Sequence, residues 1–191
     1  MTKANATPNG TLINEIPAHT MTQSETSSDQ NDPMLSEGLV HGADALAQAV
    51  TALLLSARRH VRLFAPHLEP SVFQAASVTG AMARFAAQHA HNRAHILIED
   101  VAQVRRDNGR LIELARRVSD AVALREVEEN DRGARDLFLL ADRATFLMQE
   151  DVGRSDGVVS ARAPQEAAQL IARFDEIWER ATPVALRTLG L

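Results

Sequence analysis

Three times in succession a stretch with apolar residues at helical spacing gives way to a short apolar run. This alternation restricts the fold more than any other feature of the chain. Leu46, Val50, Leu53, Leu54 and Ala57 share one helical face, which predicts an amphipathic helix over about residues 42–58. Arg58 and Arg59 suit its C-terminal end, where the helix dipole favours cations. Val61-Arg62-Leu63-Phe64-Ala65 then reads as a short strand stopped by Pro66. Residues 71–90 are helical in pattern, with Thr79-Gly80 marking a break between two helices, and Ala94–Ile98 is the second strand. Residues 108–118 give a helix with Leu111, Ile112, Leu114 and Ala115 inward, and 121–127 a third strand. Residues 137–140 and 145–148 read as a hairpin and 157–161 as a last strand. In the final helix, over 164–181, Pro164 suits the first turn, and Ala167, Leu170, Ile171, Phe174, Ile177, Trp178 and Ala181 share a face. The expected class is α/β, a mixed β-sheet flanked by helices on both faces.

Composition narrows the function classes. Residues 1–37 hold ten Ser or Thr, and one cation against five acids gives a net charge of −4. Such a segment lacks the apolar area to offset chain entropy, so it is expected to be a disordered tail, with the domain at 38–191. Leu12-Ile13 and Ile16 are its one candidate docking motif. Residues 38–191 set 19 Arg against 20 acids, a net of −1, whereas a duplex binder shows a basic excess. One Trp, six Phe and no Tyr leave few platforms for stacking single-stranded bases. Nucleic acid is therefore not an expected partner. Cysteine is absent, so no disulfide or thiolate ligand is possible. No run approaches the ~20 apolar residues of a membrane span, and the N-terminus lacks a signal peptide's apolar stretch. The expectation is a cytoplasmic protein without a membrane partner, a metal or another cofactor.

Residues 135–148 read Arg-Asp-Leu-Phe-Leu-Leu-Ala-Asp-Arg-Ala-Thr-Phe-Leu-Met, a strand, a tight turn bearing Asp142, and a second strand. This segment resembles the part of the phospholipase D superfamily that carries His-x-Lys-x4-Asp. Together with residues 63–70, 138–143 and 174–178, it makes residues 42–182 similar to one half of a phospholipase D-like protein. More narrowly, the chain resembles a small bacterial family of such domains of unassigned function, found alone or attached to acetyltransferase domains.

The register of the motif decides what the resemblance implies. Asp142 matches the Asp, but Arg135 stands where the nucleophilic His belongs and Leu137 where the phosphate-holding Lys belongs. Arg stays cationic at neutral pH and cannot attack phosphorus, and Leu has no charge to offer. The Gly-Ser-x-Asn that often follows would fall at 149–152, which reads Gln-Glu-Asp-Val. The resemblance thus implies a phospholipase D-like scaffold without its catalytic residues and with a binding or assembly role. It also implies two partners, a second copy packed as a homodimer near the 137–148 hairpin and an acetyltransferase-type or other protein.

The residues themselves leave two other readings open. His67 and Glu69 follow the first strand, Glu99 and Asp100 the second, Glu126 and Glu128 the third. Ligands of open α/β sheets sit beyond the carboxyl ends of parallel strands, so His67, Asp100 and Glu126 could support hydrolysis. Asp100, Arg105, Arg106 and Asn108 lie in a loop at a helix start, and with Arg135 these arginines could hold a phosphate or nucleotide. The plainer alternatives are a helix cap from Asp107 or Asn108, a turn residue at Asp142, solvated histidines at 89, 91 and 95, and a core Trp178.

Overall fold

The structure, a computed structural model, describes residues 36–186. The expected N-terminal tail and its Leu12, Ile13 and Ile16 lie outside the described residues, apart from Ser36 and Glu37.

In chain order the elements are β1 (Gly38–His41), α1 (Ala43–Ser56), β2 (His60–Ala65), α2 (Pro70–Phe73), α3 (Ala76–Gln88), β3 (Arg93–Ile98) and α4 (Val101–Asp107). There follow α5 (Gly109–Arg117), β4 (Val122–Glu126), β5 (Leu137–Ala141), β6 (Thr145–Gln149), β7 (Asp156–Ser160), α6 (Pro164–Arg180) and β8 (Thr182–Pro183). The strands form one eight-stranded sheet in the order β1-β7-β6-β5-β2-β3-β4-β8. β2, β3 and β4 are parallel, and every other pairing is antiparallel. The sheet is mixed, as its sequence pattern predicts.

Alternation along the strands sends side chains to two separate cores. Val61, Leu63, Ala65, Ile96, Ile98 and Leu139 face α1 to α5, where they meet Leu53, Leu54, Phe85 and Leu111. Phe64, Leu97, Phe138 and Leu140 face the other way, onto Ala167, Phe174 and Trp178 of α6. Central strands buried on both faces read as continuous apolar runs, and all five residues of β5 are buried. Helices therefore cover both faces. Polar ties fix α6 over the sheet. Arg173 pairs with Asp136 while its guanidinium lies 4.9 Å from the Phe64 ring centre, and Arg180 donates to Asp131 at 2.8 and 3.0 Å.

The structure departs from the sequence expectations at four places. β1 and β8, which close the two ends of the sheet, were not expected; they are only four and two residues long. The helical stretch at 71–90 breaks at Gln74-Ala75, not at Thr79-Gly80, and Gly80 lies inside α3. Gln74 is held there by a tertiary contact, its Nε2 donating to the Asp107 carbonyl at 2.7 Å. The loop expected at 100–107 is a helix, α4, capped by Asp100. Asn108 gives no side-chain cap to α5 and is 1% exposed with no protein partner for its amide.

Candidate functional site

The parallel strands β2 and β3 end together, and the antiparallel register Phe64–Phe138 brings the start of β5 beside them. Leu137, the first residue of β5, therefore sits at the carboxyl end of β2, with Gln149 as its register partner on β6. A cleft of about 310 Å³ opens here. Leu46 of α1, Val72 of α2, Leu137 and Val152 give it apolar walls, and His67, Glu69, Gln149 and Arg154 give it polar ones. That volume is at the lower end of what holds a small molecule.

Each polar group has a definable state. His67 Nδ1 lies 2.8 Å from Gln103 Nε2, and its Nε2 lies 3.6 Å from Glu69. The Gln103 contact thus holds the ring by Nδ1 and leaves Nε2 on the side of the Glu69 carboxylate. Glu69 also accepts from the Ser71 hydroxyl at 3.1 Å at the start of α2. Gln149 donates to the Arg154 carbonyl at 3.0 Å, and Arg154 pairs with Asp156 at 3.0 Å.

The three positions that align with the phospholipase D motif do different work. Leu137 is 2% exposed. Arg135 is exposed and paired with Asp151, whose carboxyl is held below its ordinary range first by the Gly153 N–H and then by Arg135. Asp142 sits at the β5–β6 turn with φ at 55°. Its carboxylate accepts the backbone N–H groups of Arg58, Arg59 and His60 at 2.9, 2.8 and 2.9 Å. Asp142 is thus a turn residue that also fastens the α1–β2 connection.

The remaining sequence candidates scatter. Asp100 accepts from the Gln103 N–H at 2.8 Å, so it shares Gln103 with His67. Glu99 accepts from the N–H groups of Gly133 and Ala134 at 3.1 Å each, which fixes the loop leading to Arg135. Glu126 pairs with Arg132 at 3.1 Å in a separate acidic cleft with Glu128 and Glu129. Arg105 donates to the Ala185 carbonyl at 2.7 Å, and Arg106 to Asp107 at 3.0 Å. Arg105, Arg106 and Arg135 are thus held by three different partners. Among the described residues no three His, Cys, Asp or Glu side chains are grouped to hold a metal ion, and no helix is long and apolar enough to cross a membrane.

The cleft brings His67 and Glu69, which the sequence pointed to from their place after a strand, together with Gln149 and Arg154, which it did not. Gln149 was visible only as a departure from Gly-Ser-x-Asn, and Arg154 lies in a loop with no pattern. A second polar group was also missed. His95 stacks on Trp178 with ring centres 4.2 Å apart and planes 11° apart, and the Arg125 guanidinium lies 4.4 Å from the Trp178 ring centre. Burial, then the charges of Arg62, His60 and Arg125, push the imidazole down to about 4 despite Asp175. Trp178 is core, 9% exposed.

Comparison with solved structures gives the same fold. A phospholipase D family member, Nuc from Salmonella typhimurium, superposes with a TM-score of 0.54 at 15% identity, over 71% of this chain and 88% of its own. TrmBL2, an archaeal chromatin protein described with a novel mode of DNA binding, gives 0.54 at 17% identity, over 78% of this chain and 55% of its own. Phosphatidylserine synthase from Haemophilus influenzae gives 0.54 at 15% identity, over 78% of this chain and 39% of its own. No curated protein matches the chain in sequence. The fold is phospholipase D-like, and since the family described as Domain of unknown function (DUF7931) matches residues 42–189, the chain belongs to that family.

Proposed function

We propose that this domain keeps a phospholipase D-like scaffold without phosphodiester chemistry and works by binding, with the cleft around His67 and Gln149 as its ligand site. One observation carries the reading. The position that should present a cation to phosphate is Leu137, an apolar wall of that cleft. With Arg135 paired to Asp151 and Asp142 engaged by three backbone N–H groups, no motif position offers a nucleophile or a charge for the transition state. A small, partly apolar molecule with one polar end fits such walls. The near-neutral charge of residues 38–191 gives no support to DNA as the ligand. An acetyltransferase-type or other protein partner remains part of the same proposal, as the consumer of a bound-state signal.

An amide NMR screen with small organic acids, amines and amides tests the reading. The expected result is shifts confined to residues lining the cleft, lost in Gln149→Ala. Shifts centred on Glu126 and Thr182, or none from any compound, would contradict it.

A second reading rests on His67. Its Nε2 faces Glu69 at the strand ends, so a hydrolase with His67 as proton carrier is the alternative. It predicts turnover of an ester or phosphoester substrate that vanishes in His67→Ala.

A further inference from the structure

On the α6 face of the sheet one row of paired residues crosses six strands. Leu97 pairs with Phe64, Phe64 with Phe138, Phe138 with Met148, Met148 with Val158, and Val158 with Leu39. The row begins under α6, where Leu97, Phe64 and Phe138 are fully buried. It runs out past the helix, and Val158 is 40% exposed and Leu39 72%. These two are the exposed large hydrophobic side chains among the described residues. Glu150, Asp151, Arg154 and Asp156 border them in a shallow cleft, so the patch is apolar with a charged rim.

The two ends of the sheet differ. β8 is two residues long and contains Pro183, two of the usual devices that block further pairing. β1 carries neither proline nor lysine, and among the described residues β7 is its sole neighbour. Gly42 N donates to the Ser155 carbonyl at 2.7 Å, so the alternation of an antiparallel ladder turns the backbone groups of Gly38 and Val40 toward β7. The N–H and C=O groups of Glu37, Leu39 and His41 then point to the open side.

We propose that a second copy of this chain occupies this edge, β1 pairing antiparallel with β1 of the partner about a two-fold axis at Leu39. That register is the one in which outward groups meet outward groups over the whole strand: Leu39 faces its own copy, and Glu37 faces His41 twice. It joins the two apolar rows into one that runs across both sheets, while within each copy the Glu37 carboxylate stays on the Ala161 N–H at 3.0 Å and His41 on Asp156 at 3.2 Å. Parallel pairing would match Glu37 with Glu37. β1 precedes the segment matched by the family, and although Arg154 borders both this patch and the His67 cleft, the pairing uses the backbone of β1, so the inference does not depend on that cleft binding anything. Leu137 and Phe138 at the start of the hairpin near which a twin was expected are 2% and 0% exposed, whereas Met148 at its other end is half-buried and lies in this row beside Val158. A four-residue strand buries less than the roughly 800 Å² per partner of a standard interface, so the dimer is concentration-dependent.

The test is sedimentation of the full chain from low micromolar to sub-millimolar concentration, together with Leu39→Lys and a cross-linking variant. Wild type is expected to show a monomer–dimer equilibrium that Leu39→Lys weakens roughly tenfold or more, because like charges would face each other at the axis. The melting temperature of Leu39→Lys at low concentration should be unchanged. The chain has no cysteine, so Leu39→Cys adds one thiol. Directly opposed, hydrogen-bonded antiparallel residues have Cα atoms about 5.5 Å apart, which suits a disulfide. Mild oxidation should therefore cross-link Leu39→Cys and not the exposed control Ser77→Cys. A wild type that stays monomeric, equal cross-linking of the two cysteine variants, or a monomer destabilised by Leu39→Lys would overturn the proposal; the last result would show that the chain's own residues cover the edge.

Discussion

Asp142 Oδ1 accepts the backbone N–H of Arg59 at 2.8 Å across 83 positions of sequence. The same carboxylate takes the N–H groups of Arg58 and His60, so one turn residue holds the chain where it leaves α1 and enters β2. Substituting Asp142 by Ala leaves three N–H groups without this acceptor. The expected loss is about 2–4 kcal/mol, since hydrogen bonds to a charged group each contribute about 1.5–3 kcal/mol and water replaces them in part. Asn should recover about half. Urea unfolding midpoints of the three proteins check this; an Ala variant as stable as wild type would show that Asp142 does not fasten this connection.

His95 makes stability depend on pH. Its folded value of about 4 lies below the ordinary 6.5, so between these values the unfolded chain binds more protons than the folded one. The contribution is complete above about pH 6.5 and is lost as pH falls toward 4. A half-buried group is partly screened, so the expected loss over that window is about 1–2 kcal/mol. Replacing His95 by Gln should flatten this part of the stability profile. NMR titration of the imidazole reads the group directly, and a midpoint near 6.5 would contradict its packing between Trp178 and Arg62.

Gly157 marks where β7 lets α1 come close. A Cβ there would meet Leu46 Cδ2 at 3.1 Å, and the Met148 carbonyl and Val40 Cγ2 at 3.3 Å. Two of these contacts are side-chain ends that can shift, but one is backbone. Gly157→Ala is therefore expected to cost about 1–2 kcal/mol by overpacking. Thermal unfolding checks it, and a stabilised variant would mean that β1 and α1 relax more readily than the packing suggests.

Trp178 and Phe174 anchor α6 over the second core. Trp178→Ala removes the platform under both His95 and Arg125, and should cost about 3–5 kcal/mol. The His95 value should then rise toward 6.5 as water reaches the imidazole. Loss of stability with no change in the titration would separate the core role of Trp178 from its shielding of His95.

The strands with strong signals were legible in sequence because burial decides them. β5 is Leu-Phe-Leu-Leu-Ala, and β2 and β3 carry similar apolar runs. α6 was legible from its period and Pro164. β1 and β8 were not, because four residues of Gly-Leu-Val-His carry no period and Thr-Pro violates strand preference. The break at Gln74 is set by Asp107 and Arg110, more than thirty positions away, so no local pattern marks it. The site divides in the same way. His67 and Glu69 follow from the rule that strand ends carry ligands. Gln149 and Arg154 enter the cleft only once β6 is paired and the loop to β7 folded. For Asp142 a turn role was readable, while its three N–H partners were not.

The most direct test of the account is phosphodiester turnover by the full chain, measured on a chromogenic phosphodiester, on phospholipid vesicles and on nucleic acid. Wild type, Arg135→Ala and His67→Ala are expected to give the same rate as buffer in each assay, across pH 5 to 8, where an imidazole would titrate. Turnover by the wild type that disappears in Arg135→Ala or in His67→Ala would contradict the claim that this scaffold has lost its chemistry.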